Sequence, residues 1–210
     1  MRVWTIQPVS VYEKLKEEKV LYTDISLSSC YNFASKFCEE VKKDGFEVED
    51  LDFTVFNVAY DWLKRRMEDK IGKPEKATYP WWAWYKRDMR HSKPDLRESS
   101  YGNKGEKLVC IELEIDDKNI VLSDFDLWHF CISNSWIPEV DNEEEFDTKY
   151  EWYESLDKET QEILKYKSWE TIFDIHMDFR PWHERGKWVQ ATFWELRLED
   201  VRKVQYFTAK

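Results

Sequence analysis

Lys187-Trp188-Val189-Gln190-Ala191-Thr192-Phe193-Trp194-Glu195-Leu196-Arg197-Leu198 is the stretch on which the fold turns. It alternates and is rich in β-branched and aromatic residues, which is the pattern of a half-buried strand. At period two, Val189, Ala191, Phe193, Glu195 and Arg197 share one face, and Trp188, Gln190, Thr192, Trp194, Leu196 and Leu198 share the other. Glu195 thus follows three apolar residues on its own face. A desolvated carboxylate is unfavourable without a partner, so Glu195 is either paired, with Arg197 the nearest cation in sequence, or functional.

The composition sets the frame around this strand. The 210 residues suffice for a single domain with a sizeable core, and five glycines and six prolines are too few for a linker-rich chain. Twelve tryptophans, eleven tyrosines and twelve phenylalanines suit a core, an interface or a stacking pocket. The net charge of −11, concentrated between Glu139 and Glu162, would repel a phosphate backbone. Basic clusters at Lys64-Arg65-Arg66 and from Lys86 to Lys93 leave room for a local polyanion groove. Cys30, Cys38, Cys110 and Cys131 form no CxxC pair and sit in apolar-periodic segments, as reduced, buried thiols do. With no secretory leader pattern and no apolar run of the roughly 18 residues that span a bilayer, the expected location is the cytoplasm, away from membranes.

In chain order, Arg2 to Gln7 reads as a strand ended by Pro8, and Ser10 with Glu13 reads as a capping box for a helix to about Lys19. Val20 to Thr23 is a short extended return, and helices follow near Tyr31 to Lys43 and from about Phe53 to Ile71, the latter ended by Gly72. Tyr79 to Lys86 is an extended segment whose two faces are both aromatic, Trp82 and Trp84 on one and Trp81 and Tyr85 on the other. Asp88 to Lys107 is a long polar loop, and loops of that length often border binding sites. Leu108 to Ile115 and Asn119 to Leu122 read as a hairpin, and Ser123 as the cap of a helix to about Asn134. An acidic helical insertion covers about 139–178, with Asp157 capping its second helix, before the organising strand and a closing strand from Val201 to Phe207.

No GxGxxG, GxxxxGK[ST], HExxH or GxSxG pattern occurs, so Rossmann, P-loop, zincin and triad-hydrolase chemistries lack support, and no metal is expected. His176, Asp178 and His183 could converge, but their spacing is not that of a ligand set.

Through Val3-Trp4-Thr5-Ile6-Gln7-Pro8, Tyr79-Pro80-Trp81-Trp82-Ala83-Trp84-Tyr85, Ser123-Asp124-Phe125-Asp126-Leu127-Trp128-His129 and Gln190-Ala191-Thr192-Phe193-Trp194-Glu195, the chain resembles a bacterial domain family of unknown function. It also resembles the ADP-ribosyltransferase superfamily, whose sites combine a first-strand residue, a middle residue and a late-strand glutamate. Glu195 matches the late glutamate; Arg2 or Thr5 would fill the first motif, and Tyr85 or a neighbouring tryptophan the middle one. The first strand carries no histidine, a departure from that pattern.

This resemblance implies an α+β domain with a split, mainly antiparallel sheet and flanking helices, of ADP-ribosyltransferase-like fold. It implies an enzyme that cleaves NAD and passes ADP-ribose to a nucleic-acid, protein or small-molecule acceptor, in a toxin or phage-defence setting. Glu195 would be catalytic, and Arg2, Trp4, Thr5, Trp82, Trp84, Tyr85 and Gln190 would bind NAD. The rival is a non-catalytic module that recognises a protein partner, such as an antitoxin or a basic peptide, through an aromatic groove with an acidic flank.

Overall fold

The computed structural model describes residues 1–23, 53–176, 178–180 and 183–210. The helix expected near Tyr31 to Lys43 and the thiols Cys30 and Cys38 lie outside the described residues. The strands are β1 (Arg2–Pro8), β2 (Val20–Leu21), β3 (Trp81–Lys86), β4 (Lys107–Glu114), β5 (Val121–Asp124), β6 (Asp178–Arg180), β7 (His183–Arg185), β8 (Val189–Phe193), β9 (Leu196–Arg197) and β10 (Val201–Thr208). The α-helices are α1 (Val9–Glu18), α2 (Phe53–Ile71), α3 (Phe125–Ile132), α4 (Glu143–Glu154) and α5 (Lys158–Trp169).

The main sheet has six strands in the order β10-β4-β1-β3-β8-β5, and every pairing in it is antiparallel. Two small ribbons, β2-β9 and β6-β7, complete an α+β architecture. Alternation along the strands sorts side chains onto two faces. Val3, Trp81, Ala83, Val109, Ile111, Leu113, Ala191 and Phe193 form one core with Leu15 of α1, Leu21 and Leu196. On the other face Val121 packs with Ala59, Trp62, Leu63 and Met67 of α2, with Leu127, Trp128 and Cys131 of α3, and with Trp169 and Trp194. The aromatic strand β3 therefore has cover on both sides, as its sequence demanded. Each large side chain buried in this way contributes roughly 2–3 kcal/mol of transfer free energy.

Three local expectations are corrected. Leu108–Ile115 and Asn119–Leu122 do not form a hairpin: β4 is flanked by β1 and β10, while β5 pairs with β8 at the opposite edge. Strand β4 buries Leu108, Val109, Cys110, Ile111 and Leu113, hence both its faces, and an interior strand of this kind takes two neighbours. Ser10 does not cap α1, because the helix begins at Val9 after Pro8 and has no side-chain cap. Asp124, not Ser123, caps α3, its Oδ1 accepting from Leu127 N at 2.9 Å.

Gly186 shows why the β7-β8 connection needs a residue without a side chain. Its φ is +76°, and a Cβ there would meet the Ile175 carbonyl oxygen at 2.5 Å. Backbone cannot yield as a side-chain tip can, so Gly186→Ala combines a left-handed strain with a clash. The variant should unfold at least about 2 kcal/mol more easily than the parent in urea titration.

Candidate active site

The residues expected to bind NAD do not gather around Glu195. Trp4, Trp84 and Gln190 form one row across the sheet, because Trp4 pairs with Trp84 and Trp84 with Gln190, and Ser123 of β5 extends the row. Trp4 donates from Nε1 to Glu112 at 3.1 Å and meets the His91 ring edge-on at 5.4 Å. Trp84 packs on Phe125 and Trp188, with the Arg87 guanidinium over both indoles at 4.8 and 5.2 Å. Gln190 Nε2 and Ser123 Oγ are buried without a hydrogen-bond partner. They sit opposite each other on adjacent strands, a separation that one bridging water could satisfy.

The remaining expected residues take other places. Thr5 is buried on the opposite face, donating to the Trp82 carbonyl at 2.9 Å and accepting from Gln7 Nε2 at 2.7 Å. Trp82 is partly buried against the second core, packed on Tyr60 and Trp128. Arg2 is exposed beside Glu112 and Glu114, and Tyr85 stacks near His91 with ring centroids 4.3 Å apart. Because Trp81 faces Phe193 while Lys86 faces Val189, Arg2 and Tyr85 lie at the end of the sheet away from Glu195. Five residues of strand separate the two levels, about 16 Å. The loop after β3 follows the Trp4 end: His91 contacts the Arg2 carbonyl and Lys93 donates to Gln205.

Glu195 has its own surroundings. The long strand expected through Leu198 is broken at Trp194-Glu195, so Glu195 sits in a bend between β8 and β9. Its Oε1 accepts from the Tyr22 hydroxyl at 2.5 Å, and its Oε2 takes Nε of Arg197 at 3.0 Å together with Nη2. Tyr22 is fixed by its neighbours: Leu21 pairs with Leu196, Trp81 Nε1 donates to the Leu21 carbonyl at 3.1 Å, and Thr23 donates to the Tyr79 carbonyl. Nothing in the sequence near Glu195 points to this partner, 173 residues away, although Tyr22 does close the short extended return after α1.

Glu195 lines a cleft of about 50 Å³ with Ile71, Pro74, Ile115, Asn119, Phe193, Trp194, Arg197 and Asp200. That is room for a few waters, so a larger ligand would lie across the mouth and send only its reacting atoms inward. An ionised carboxylate offers about four acceptor positions, and the three bonds to Tyr22 and Arg197 leave one on Oε1. Two carboxyls in this cleft are shifted in opposite directions. Burial raises the pKa of Glu195, but hydrogen bonds from Tyr22 and Arg197 outweigh it, and the net shift is downward. Burial, followed by the charge of neighbouring Glu199, raises that of Asp200.

A pH dependence follows from the first shift. A folded pKa below the unfolded value means that the Glu195 contacts stabilise the fold above the ordinary carboxylate range, near pH 4. That contribution is lost as pH falls through the lowered pKa. Melting curves of the parent and Glu195→Gln should therefore converge on acidification below about pH 4. Parallel curves down to the acid limit would show that the contacts do not hold the carboxylate ionised.

Among the described residues, no three or more His, Cys, Asp or Glu side chains are grouped to hold a metal ion. Nor, among them, is any helix long and apolar enough to cross a membrane. Residues 2–202 match the domain of unknown function DUF3841. The chain belongs to that family. The matched span contains β1, β3, β8 and the Glu195 bend. No curated protein and no solved structure matches the chain.

Proposed function

We propose that this DUF3841 domain is an ADP-ribosyltransferase-like enzyme that cleaves NAD at the Glu195 cleft. The observation that carries the reading is the presence, in one cleft, of a carboxylate held by hydrogen bonds from Tyr22 and Arg197 and a second, Asp200, which burial makes more basic than an ordinary aspartate. Neighbouring carboxyls held in such different environments are suited to distinct catalytic roles. When the bond between nicotinamide nitrogen and ribose C1′ breaks, its electron pair leaves with nicotinamide and positive charge develops on the ribose. Glu195 stabilises that charge, and its free Oε1 position accepts a ribose hydroxyl. The acceptor nucleophile then bonds to C1′ and gives up a proton, which Asp200 takes. Tyr22, in place of Tyr85, becomes the middle residue of the site, orienting the glutamate. Trp4, Trp84 and Gln190 lie outside this assignment.

The test is release of nicotinamide from labelled NAD, with and without RNA, DNA and cell lysate as acceptors. Tyr22→Phe removes the hydroxyl and keeps the ring, and it should lower the rate about tenfold or more if Tyr22 orients Glu195. A parent protein that releases no nicotinamide with any acceptor rejects the enzyme. The second reading, a protein-recognition module, is favoured by the clustering of Trp4, Trp84 and Arg87 away from Glu195.

A further inference from the structure

The chain's negative charge is concentrated in one place. Between Glu139 and Glu162 there are eleven acidic residues and two lysines, a net −9 out of −11 for the whole molecule. This segment contains α4 and the start of α5. One of its two lysines is engaged: Lys149 donates to the Glu139 carbonyl and sits 2.7 Å from Glu145.

The same segment carries an aromatic cluster on the outside of the protein. Trp136 stacks on Tyr153 with centroids 4.8 Å apart and planes 9° from parallel, and meets Trp152 at 6.0 Å and Tyr150 at 6.3 Å. Phe146 stacks on Tyr150 at 5.3 Å. Tyr153 is buried, but Trp136, Phe146 and Tyr150 are only partly covered, and Trp152 is half exposed. Leaving an indole half in water forgoes the stabilisation that its burial would give, and an exposed indole continuous with other partly covered rings marks a contact surface. The exposed carboxylates of Glu143, Glu144, Asp147, Glu151 and Glu154 are carried by the same helix and flank the Phe146-Tyr150 stripe on one side.

We propose that the α4 face formed by Trp136, Phe146, Tyr150 and Trp152 is a docking surface for a basic, arginine- or lysine-bearing segment of a partner protein. A half-exposed indole and carboxylates on one helix are the two features that a guanidinium or ammonium group uses. The ring face attracts the cation, the carboxylate takes its N–H donors, and the alkyl stem covers the indole. A nucleic acid would be repelled by this surface, and a second copy of the chain would bring a like charge of −9 against it. The surface is independent of the Glu195 cleft, whose lining includes no residue of α4.

The experiment is fluorescence anisotropy of labelled octa-arginine titrated with the full chain, with sedimentation velocity run in parallel and melting curves to confirm that each variant is folded. The parent should bind, and binding should weaken as salt rises from 50 to 300 mM. Trp152→Ala should weaken it about fivefold, as expected when one exposed cation–π contact is lost. Glu144→Lys/Asp147→Lys/Glu151→Lys should weaken it at least about tenfold, while the remote exposed pair Glu17→Lys/Glu18→Lys should change it less than about twofold. No binding by the parent overturns the proposal. So does indifference to Trp152→Ala, or an equal loss with the α1 pair, since either means diffuse charge attraction. A dimer that dissociates on Trp152→Ala would identify a second copy as the occupant and overturn it as well.

Discussion

Glu195→Gln should lower nicotinamide release at least about a hundredfold, the size of effect expected when one preorganised electrostatic group is removed from a reacting centre. Glutamine keeps the shape and can still accept from Tyr22, but it cannot stabilise a developing positive charge. The structure also fixes what the substitution does to folding. Arg197 loses its closest partner, yet its side chain is 40% exposed and it has Glu199 at 3.2 Å as a second partner. The cation left behind is therefore reached by water, and the stability lost should stay below about 1 kcal/mol at neutral pH. Activity and stability thus separate: a large rate effect with a small shift in melting temperature means catalysis. An unchanged rate in a parent that does release nicotinamide would leave Glu195 as an ion-pair partner and place the chemistry elsewhere.

What the sequence made legible was the periodic part of the fold. Strand β1, helix α2 to its end at Ile71, the aromatic strand β3 and the Asp157 cap of α5 all follow from local pattern, because alternation, a 3.6-residue stripe and a cap each involve residues a few positions apart. Pairing partners were less legible. The segments that look like a β4-β5 hairpin are separated by six residues and end on opposite sides of the sheet, since the choice of neighbour depends on which faces the rest of the chain must cover. The same limit applies to the site. Trp4, Trp84 and Gln190 share one row across the sheet, but alternation along the strand already places Glu195 on the face opposite Gln190, and the bend at Trp194-Glu195 sets its carboxylate against Tyr22, in a cleft that Asp200 also lines. A contact spanning 173 residues leaves no periodic trace.

Asp124→Ala should be among the most destabilising single changes outside the apolar core. Asp124 is buried, at 1% exposure, and each of its carboxylate oxygens accepts one backbone N–H: Oδ1 from Leu127 at 2.9 Å, Oδ2 from Gly186 at 2.7 Å. The first bond caps α3, and the second ties that helix start to the tight turn leading into β8. Alanine leaves two N–H groups without an acceptor, both in contacts that are buried. With about 1 kcal/mol for a helix cap and 1–3 kcal/mol for an unsatisfied buried donor, the loss should be about 2–4 kcal/mol. Asparagine separates the two contributions. Its one carbonyl oxygen can keep the Leu127 bond, but its amide nitrogen meets the Gly186 N–H donor to donor, so Asp124→Asn should lose stability and Asp124→Ala more. Urea titration of both variants beside Gly186→Ala measures the ordering. If Asp124→Asn matched the parent, the Gly186 bond would contribute nothing, and the turn would be held by Gly186's backbone conformation alone.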